Sequence, residues 1–333
     1  MPKPIAVLIS DVHYSLSTLE LADTAFTMAI DKAAELGVPL YDLGDITNDK
    51  ANLRAEVMNK MIDTLEYAKR RKVQVTLLVG NHSLVNEKSK ENALNFLHPY
   101  ATIIADVAFI DGRLLIPYQA SDLEAMGWLK SEGPGAVMFA HQGLTEALPG
   151  HYSMDHSAVH EKGIIYPITV FSGHYHNGQT IHLTRGGTWT YVGNPYTLTF
   201  GEANDTPKGF LVLMDDNSFE RIPCNLRKHV VVERTVATAK DPIAGLNQHD
   251  LLWLKIRGNA TDLATVDKDE LGKIHLGHAN YRFEKILNTQ DKIEAPVLEQ
   301  ASKSDILFQL IRETSESEES KTELVELARK LLS

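Results

Sequence analysis

Eight residues between positions 11 and 176 carry the side chains of a metal centre: Asp11 and His13 in DVH, Asp45 in GDITN, Asn81 and His82 in GNH, His141 in FAHQ, and His174 and His176 in GHYH. Hard oxygen donors mixed with imidazoles suit a divalent ion such as manganese, iron or zinc. One ion would be oversupplied by such a set, whereas two ions sharing a carboxylate would use it. A lone Asp-x-His or Gly-Asp is common in turns and helix caps. Five such pieces in this order point to one convergent site.

The elements that must position them are legible around each piece. IAVLIS (5–10), VPLYDL (38–43), VQVTLLV (73–79), AVMFA (136–140) and ITVFS (168–172) are short apolar runs of strand length. Every candidate ligand follows one of them. In open α/β sheets, loops converge outside the carboxyl ends of the strands while the strands hold them rigid. Between the runs, Leu19 to Leu36 reads as a helix stopped by Gly37, and Leu53 to Lys72 carries Val57, Met61, Leu65 and Ala68 at helical spacing.

The order D-x-H, GD-x-x-N, GNH, H, GH-x-H resembles that of the calcineurin-like metallophosphoesterases, over about residues 4–215. The resemblance implies a two-sheet α/β sandwich core with helices outside and two divalent ions at the strand ends. It further implies that Asp11, His13, Asp45 and His176 hold one ion and that Asp45, Asn81, His141 and His174 hold the other, with Asp45 bridging. His82 would be catalytic without being a ligand, orienting the scissile phosphate or protonating the leaving oxygen. Two ions roughly 3.5–4 Å apart clamp a phosphodiester and lower the pKa of a shared water. Neutral Asn81 adds a ligand without adding charge that repels the substrate.

Within that superfamily, VGNPYTLTFGEANDTPKGFLVL (192–213) is similar to the segment after GH-x-H in the SbcD-type nucleases and their bacteriophage relatives. The phosphoprotein phosphatases usually carry Asp-Arg-Gly after the second motif and GNHE at the third. Here Asn48-Asp49-Lys50 and GNHS stand instead. Ser83 thus occupies the place of the usual acid, and a hydroxyl brings no charge to hold His82 protonated or oriented. The resemblance implies a manganese-dependent DNA nuclease with 3′-to-5′ exonuclease and single-strand endonuclease activities, acting in recombination and repair. It also implies a homodimer and a partner, the SbcC-type coiled-coil ABC ATPase.

Composition bounds these expectations. With 33 Lys and Arg against 44 Asp and Glu, the net charge of −11 argues against a generally basic DNA-binding surface. Ligand carboxylates are, however, neutralised in a loaded metal site, and a partner can supply DNA contacts. The basic run Lys69, Arg70, Arg71 and Lys72 reads as a solvated helix end. A single cysteine, Cys224, excludes an internal disulfide framework and is compatible with a reducing cytoplasm, in a phage the host's. MPKPIAVLIS leads directly into the first motif, so no N-terminal signal is expected, and no apolar run reaches membrane-spanning length.

Three domains are expected: residues 1–225 as the nuclease, 226–298 as a small α+β capping domain that places DNA, and 299–333 as a helical tail that docks on the ATPase. In the second, Val230 to Val236, Leu251 to Ile256 and Tyr281 to Leu287 read as strands and Thr261 to Leu271 as a helix. In the third, Ile306, Leu307, Leu310 and Ile311 form one apolar face and Leu324, Leu327, Leu331 and Leu332 another. His151, His156 and His160 follow His141 in a polar stretch and read as loop residues. Two other functions fit the motifs, a stand-alone nucleotide phosphodiesterase and a noncatalytic scaffold subunit of the ATPase complex; partner-binding helices speak against the first.

Overall fold

A computed structural model describes residues 2–50, 52–86, 91–148, 157–205, 208–278 and 280–288. In chain order these form β1 (Pro4–Ile9), α1 (Leu19–Leu36), β2 (Leu40–Asp42), α2 (Ala55–Arg70), β3 (Val75–Leu78), β4 (Thr102–Ile104), β5 (Ala108–Ile110) and β6 (Arg113–Ile116). There follow α3 (Asp122–Leu129), β7 (Val137–His141), β8 (Ile168–Gly173), β9 (Gln179–His182), β10 (Gly187–Tyr191), β11 (Gly209–Met214) and β12 (Phe219–Pro223). After these come β13 (His229–Thr235), β14 (Leu251–Gly258), α4 (Ala260–Ala264), α5 (Lys268–Leu276) and β15 (Arg282–Leu287).

Two six-stranded sheets, ordered β12-β11-β1-β2-β3-β4 and β5-β6-β7-β8-β10-β9, form the α/β sandwich. Strands β1 to β4 run parallel, as do β6, β7, β8 and β10; antiparallel β11 and β12 extend one side of the first sheet, and antiparallel β5 and β9 close the two edges of the second. Side chains alternate between the two faces of a strand, and β1 shows the consequence. Its Ala6 and Leu8 join Tyr41, Leu115, Phe139 and Phe171 in the core between the sheets. Its Val7 and Ile9 face Phe26, Ile30, Met61 and Leu65 of α1 and α2 on the outer side. A third cluster packs Ala125 and Leu129 of α3 against Met138, Val170 and Trp189 of the second sheet. Each buried Val, Leu, Ile, Phe or Met side chain contributes about 1.5–3 kcal/mol by leaving water.

The α1 helix runs over the expected residues and stops at Gly37, whose φ of 67° lets its N–H cap the carbonyls of Ala33 and Ala34. In α2 the residues at helical spacing, Val57, Met61, Leu65 and Ala68, are the buried face. The basic end of α2 is solvated, with Arg71 paired to Asp31 at 2.5 Å and Arg70 to Glu66 at 3.9 Å.

Farther on, β13, β14 and β15 pair in that order. The helix expected from Thr261 to Leu271 is two helices instead. Asn259 caps α4 by accepting from Asp262 N–H, and Asp267 starts a new helix by accepting from the N–H groups of Asp269 and Glu270. An Asp at that place satisfies helix-start donors better than it continues a helix. By proximity the chain divides into two compact units: one takes in residues up to Glu233, Lys240–Lys255 and Asp267–Glu284, and the other Arg234–Ala239, Ile256–Val266 and the described residues from Lys285. The two amphipathic faces expected between Ile306 and Leu332 lie outside the described residues.

Candidate metal centre

The loops after β1 and β2 keep pairing beyond the strands. Asp11 N–H donates to Gly44 O at 2.9 Å, His13 N–H to Asp45 O at 3.0 Å and Tyr14 N–H to Ile46 O at 2.8 Å. This sets Asp11 and His13 beside Asp45. Asn81 and His82 follow β3, His141 is the last residue of β7, and His174 and His176 follow β8. Gly44, at φ 105°, has no room for a side chain because its Cβ would run into the His141 ring. The close approach brings His141 of the second sheet against the first sheet's loop.

Two triads result. Asp11, His13 and His176 offer ligand atoms within 4.8 Å of one another, and so do Asp45, His141 and His174. Asn81 joins the second triad, its Oδ1 lying 3.2 Å from His141 Nε2 and 3.0 Å from His174 Nδ1. His82 belongs to neither. Its backbone N–H donates to Asp45 Oδ1 at 2.8 Å, its Nδ1 lies 2.9 Å from Asn48 O, and its ring stands edge-on to His13 at 4.9 Å. Ser83 turns inward to Thr47 at 3.2 Å, so the His82 ring is held by a backbone carbonyl of the GDITN motif.

The chemistry of these donors fits a pair of cations. His176 Nδ1 faces the Glu202 carboxylate at 2.9 Å, which fixes the proton on Nδ1 and leaves a lone pair on Nε2. That Nε2 lies 3.0 Å from His13 Nε2, while His13 Nδ1 is buried with no hydrogen-bond partner among the described residues. With protein atoms alone, His13 can donate to His176 only by leaving its other nitrogen a buried, unsatisfied acceptor, which costs about 1–3 kcal/mol. A cation reached by both rings would take both Nε2 lone pairs, with the His13 proton then on Nδ1. At the second triad His141 Nδ1 lies 2.7 Å from Leu43 O, an acceptor, so Nε2 is the nitrogen turned to Asp45 and Asn81, each 3.2 Å away.

The titration of the buried groups follows the same layout. Burial pushes the His13 pKa down, and the neighbouring His176 adds to the shift. For Asp45 burial works upward, but the imidazoles of His141, His82 and His13 prevail and hold it well below the usual carboxylate range. Burial likewise opposes a charge on His141, yet the Asp45 carboxylate 3.2 Å away raises its pKa to about 9. Glu202 is held down at about 2, burial being outweighed by its bond to His176 and by the Lys208 ammonium.

All eight residues singled out in the sequence thus converge. The reading of His160 as a loop residue also fits, since it is exposed with Nδ1 3.5 Å from Glu146; His151 and His156 lie outside the described residues. Missed were Glu202, the carbonyls of Leu43 and Asn48, and Tyr118, whose ring lies 5.7 Å from that of His174 and 6.3 Å from that of His141. Glu202 has one signal in sequence, a carboxylate inside the segment that follows GH-x-H, but no spacing rule connects it to His176.

No family model matches the chain. Among curated proteins it is similar to exonuclease subunit 1 of Enterobacteria phage T4, 24% identical over an alignment of 224 residues, with coverage of 60% of this chain and 60% of that protein. The chain therefore spans about 60% of that relative's length. Solved structures like it include a dimetal phosphatase from Danio rerio, with 14% identity, a TM-score of 0.39 and coverage of 63% of this chain and 92% of that one. A 5′-nucleotidase precursor from Thermus thermophilus matches with 14% identity and a TM-score of 0.34, covering 56% of this chain and 48% of that one. The chain is thus a two-sheet α/β protein with two adjacent sets of metal-ligand side chains, similar in sequence to an exonuclease subunit of a phage.

Proposed function

We propose that the chain is a metal-dependent DNA nuclease subunit that hydrolyses phosphodiester bonds at a pair of divalent ions, manganese in the first place. The observation that carries this reading is the convergence of six dispersed motif residues into two adjacent triads, with Asn81 against the second and His82 beside both and in neither. The similarity to an exonuclease subunit directs it toward DNA. When bound, the two ions would neutralise the phosphate and supply a water of lowered pKa. Asp11, His13, Asp45 and His176 would hold one, and Asp45, Asn81, His141 and His174 the other. His82, with Nδ1 engaged by Asn48 O, would present Nε2 to the scissile phosphate or leaving oxygen.

A basic and aromatic cluster supports a nucleic-acid substrate despite the net charge. Arg282 lies 3.5 Å over the Trp253 ring, Lys255 Nζ lies 4.0 Å from that ring, and Phe200 packs edge-on to it at 5.7 Å. Cations on aromatic faces suit strand backbones and unstacked bases. We assign residues 1–225 to the nuclease, 226–298 to a DNA-placing cap and 299–333 to a segment that docks on an SbcC-type ATPase within a dimeric complex in the host cytoplasm. No helix among the described residues is long and apolar enough to cross a membrane.

The test is cleavage by the purified full-length chain with manganese, on linear duplex and single-stranded DNA and on a chromogenic phosphodiester, with and without the ATPase. DNA cleavage is expected. Hydrolysis of the small ester alone would make the chain a stand-alone phosphodiesterase, and metal binding without any hydrolysis would make it a scaffold.

A further inference from the structure

Glu202 is buried, and both its oxygens are committed as acceptors. Oε1 lies 2.9 Å from His176 Nδ1; Oε2 takes Asn194 Nδ2 and Leu198 N–H, each at 2.9 Å, with the Lys208 ammonium at 3.4 Å. Lys208 also donates to the backbone carbonyl of His176 at 2.9 Å, to Asn194 Oδ1 at 2.5 Å and to Asp205 Oδ2 at 2.7 Å. The network therefore grips His176 twice, by its ring and by its main chain. At the other triad the matching nitrogen of His141 meets only the neutral carbonyl of Leu43.

That difference has a chemical consequence. A carboxylate drawing on the Nδ1 proton makes the opposite nitrogen a better electron donor and fixes the ring plane, whereas a carbonyl does this more weakly. We propose that Glu202, braced by Lys208, is a positioning residue that sets the metal affinity of the Asp11, His13 and His176 triad while leaving the Asp45, His141 and His174 triad unchanged. The proposal rests on the reading of the two triads as a two-ion site. It assigns a role to the segment after GH-x-H that is independent of substrate.

Glu202→Gln separates the cases because an amide cannot accept on both sides. If its NH2 faces Asn194 and Leu198, donor meets donor; if it faces His176, the ring must move its proton to Nε2 and lose its ligand lone pair. Full-length wild type, Glu202→Gln and Glu202→Asp are titrated with manganese(II) by calorimetry, and electron paramagnetic resonance distinguishes a spin-coupled pair from a single ion. The wild type is expected to bind two ions as a coupled pair. Glu202→Gln should keep one affinity and lose the other by about 10- to 100-fold, with the signal of a single ion. Glu202→Asp, charged but one methylene short, should fall between, and it decides the matter if Glu202→Gln does not fold. Two unchanged affinities in the variants, or an equal loss of both, would overturn the positioning role while the two-ion site stands. A wild type that binds no manganese would overturn both.

Discussion

Gly80 closes the turn after β3 at φ −92° and ψ 177°, a backbone that alanine adopts without strain. The effect of Gly80→Ala is therefore steric. The added Cβ would lie 2.5 Å from the backbone nitrogen of Asp45 and 2.8 Å from its carboxyl carbon. Ordinary nonbonded carbon contacts sit at about 3.5–4.0 Å, so the two loops must separate by about 1 Å. Overpacking of this kind costs about 1–3 kcal/mol. The lost freedom of the unfolded chain returns about 0.4–1 kcal/mol. The net expectation is a protein destabilised by about 1–2 kcal/mol in urea unfolding. Function should suffer more, because Asp45 is the carboxylate assigned to both ions and a displacement of about 1 Å costs on the order of 100-fold in rate. The assay is kcat/KM on a chromogenic phosphodiester with saturating manganese. A variant within about threefold of the wild type would refute the claim that this contact holds Asp45 in its working place.

His82→Ala should lower kcat by about 10²–10⁴ while two manganese ions remain bound; loss of a bound ion would move His82 into the ligand set. The pKa of about 9 at His141 exceeds its ordinary 6.5, so in the metal-free protein its pairing with Asp45 stabilises fully below pH 6.5 and is lost as pH rises through about 9. Metal binding near pH 7.5 must displace that proton. Calorimetry in buffers of different ionisation heat should then count a released proton that disappears toward alkaline pH, and a count that ignores pH would sink the assignment. Trp253→Ala and Arg282→Ala should weaken single-stranded DNA binding by about 1–3 kcal/mol and leave hydrolysis of the small ester unchanged. Equal DNA affinity in those variants would remove the aromatic cluster from the DNA path.

The parts of the fold legible in the sequence are those written in local periods. Alternation in IAVLIS and the 3.6-residue spacing of Val57, Met61, Leu65 and Ala68 describe faces that the core buries. The strand ends then locate the ligands, because a side chain just past an apolar run emerges where loops gather. Short edge strands such as Thr102–Ile104 and Ala108–Ile110 carry three residues each, too few for a period to show. The break between α4 and α5 hung on Asp267, whose capping geometry outweighs the apolar spacing around it. Glu202 was out of reach for another reason. It lies 26 residues beyond His176, and their contact exists only after β9, β10 and the loop that follows have folded back.

Four residues assigned as ligands adopt left-handed backbone, Asp11 at φ 53°, His13 at 51°, Asp45 at 53° and His174 at 89°. Each such residue costs on the order of 1–3 kcal/mol unless its surroundings impose it. Asp and His bear the conformation better than most side chains, which is one reason for these types at loop positions. The imposing contacts are on the backbone: the N–H groups of Asp11 and His13 donate to the loop after β2, and that of His174 donates to the Asp11 carboxylate at 3.1 Å. Between them Val12 is buried, and its carbonyl is tied to the Tyr196 hydroxyl. The spacing D-x-H therefore has a structural cause, since the middle residue anchors the turn while its neighbours reach the site. The same main-chain contacts that hold this conformation set Asp11 and His13 beside Asp45, and His174 beside Asp11.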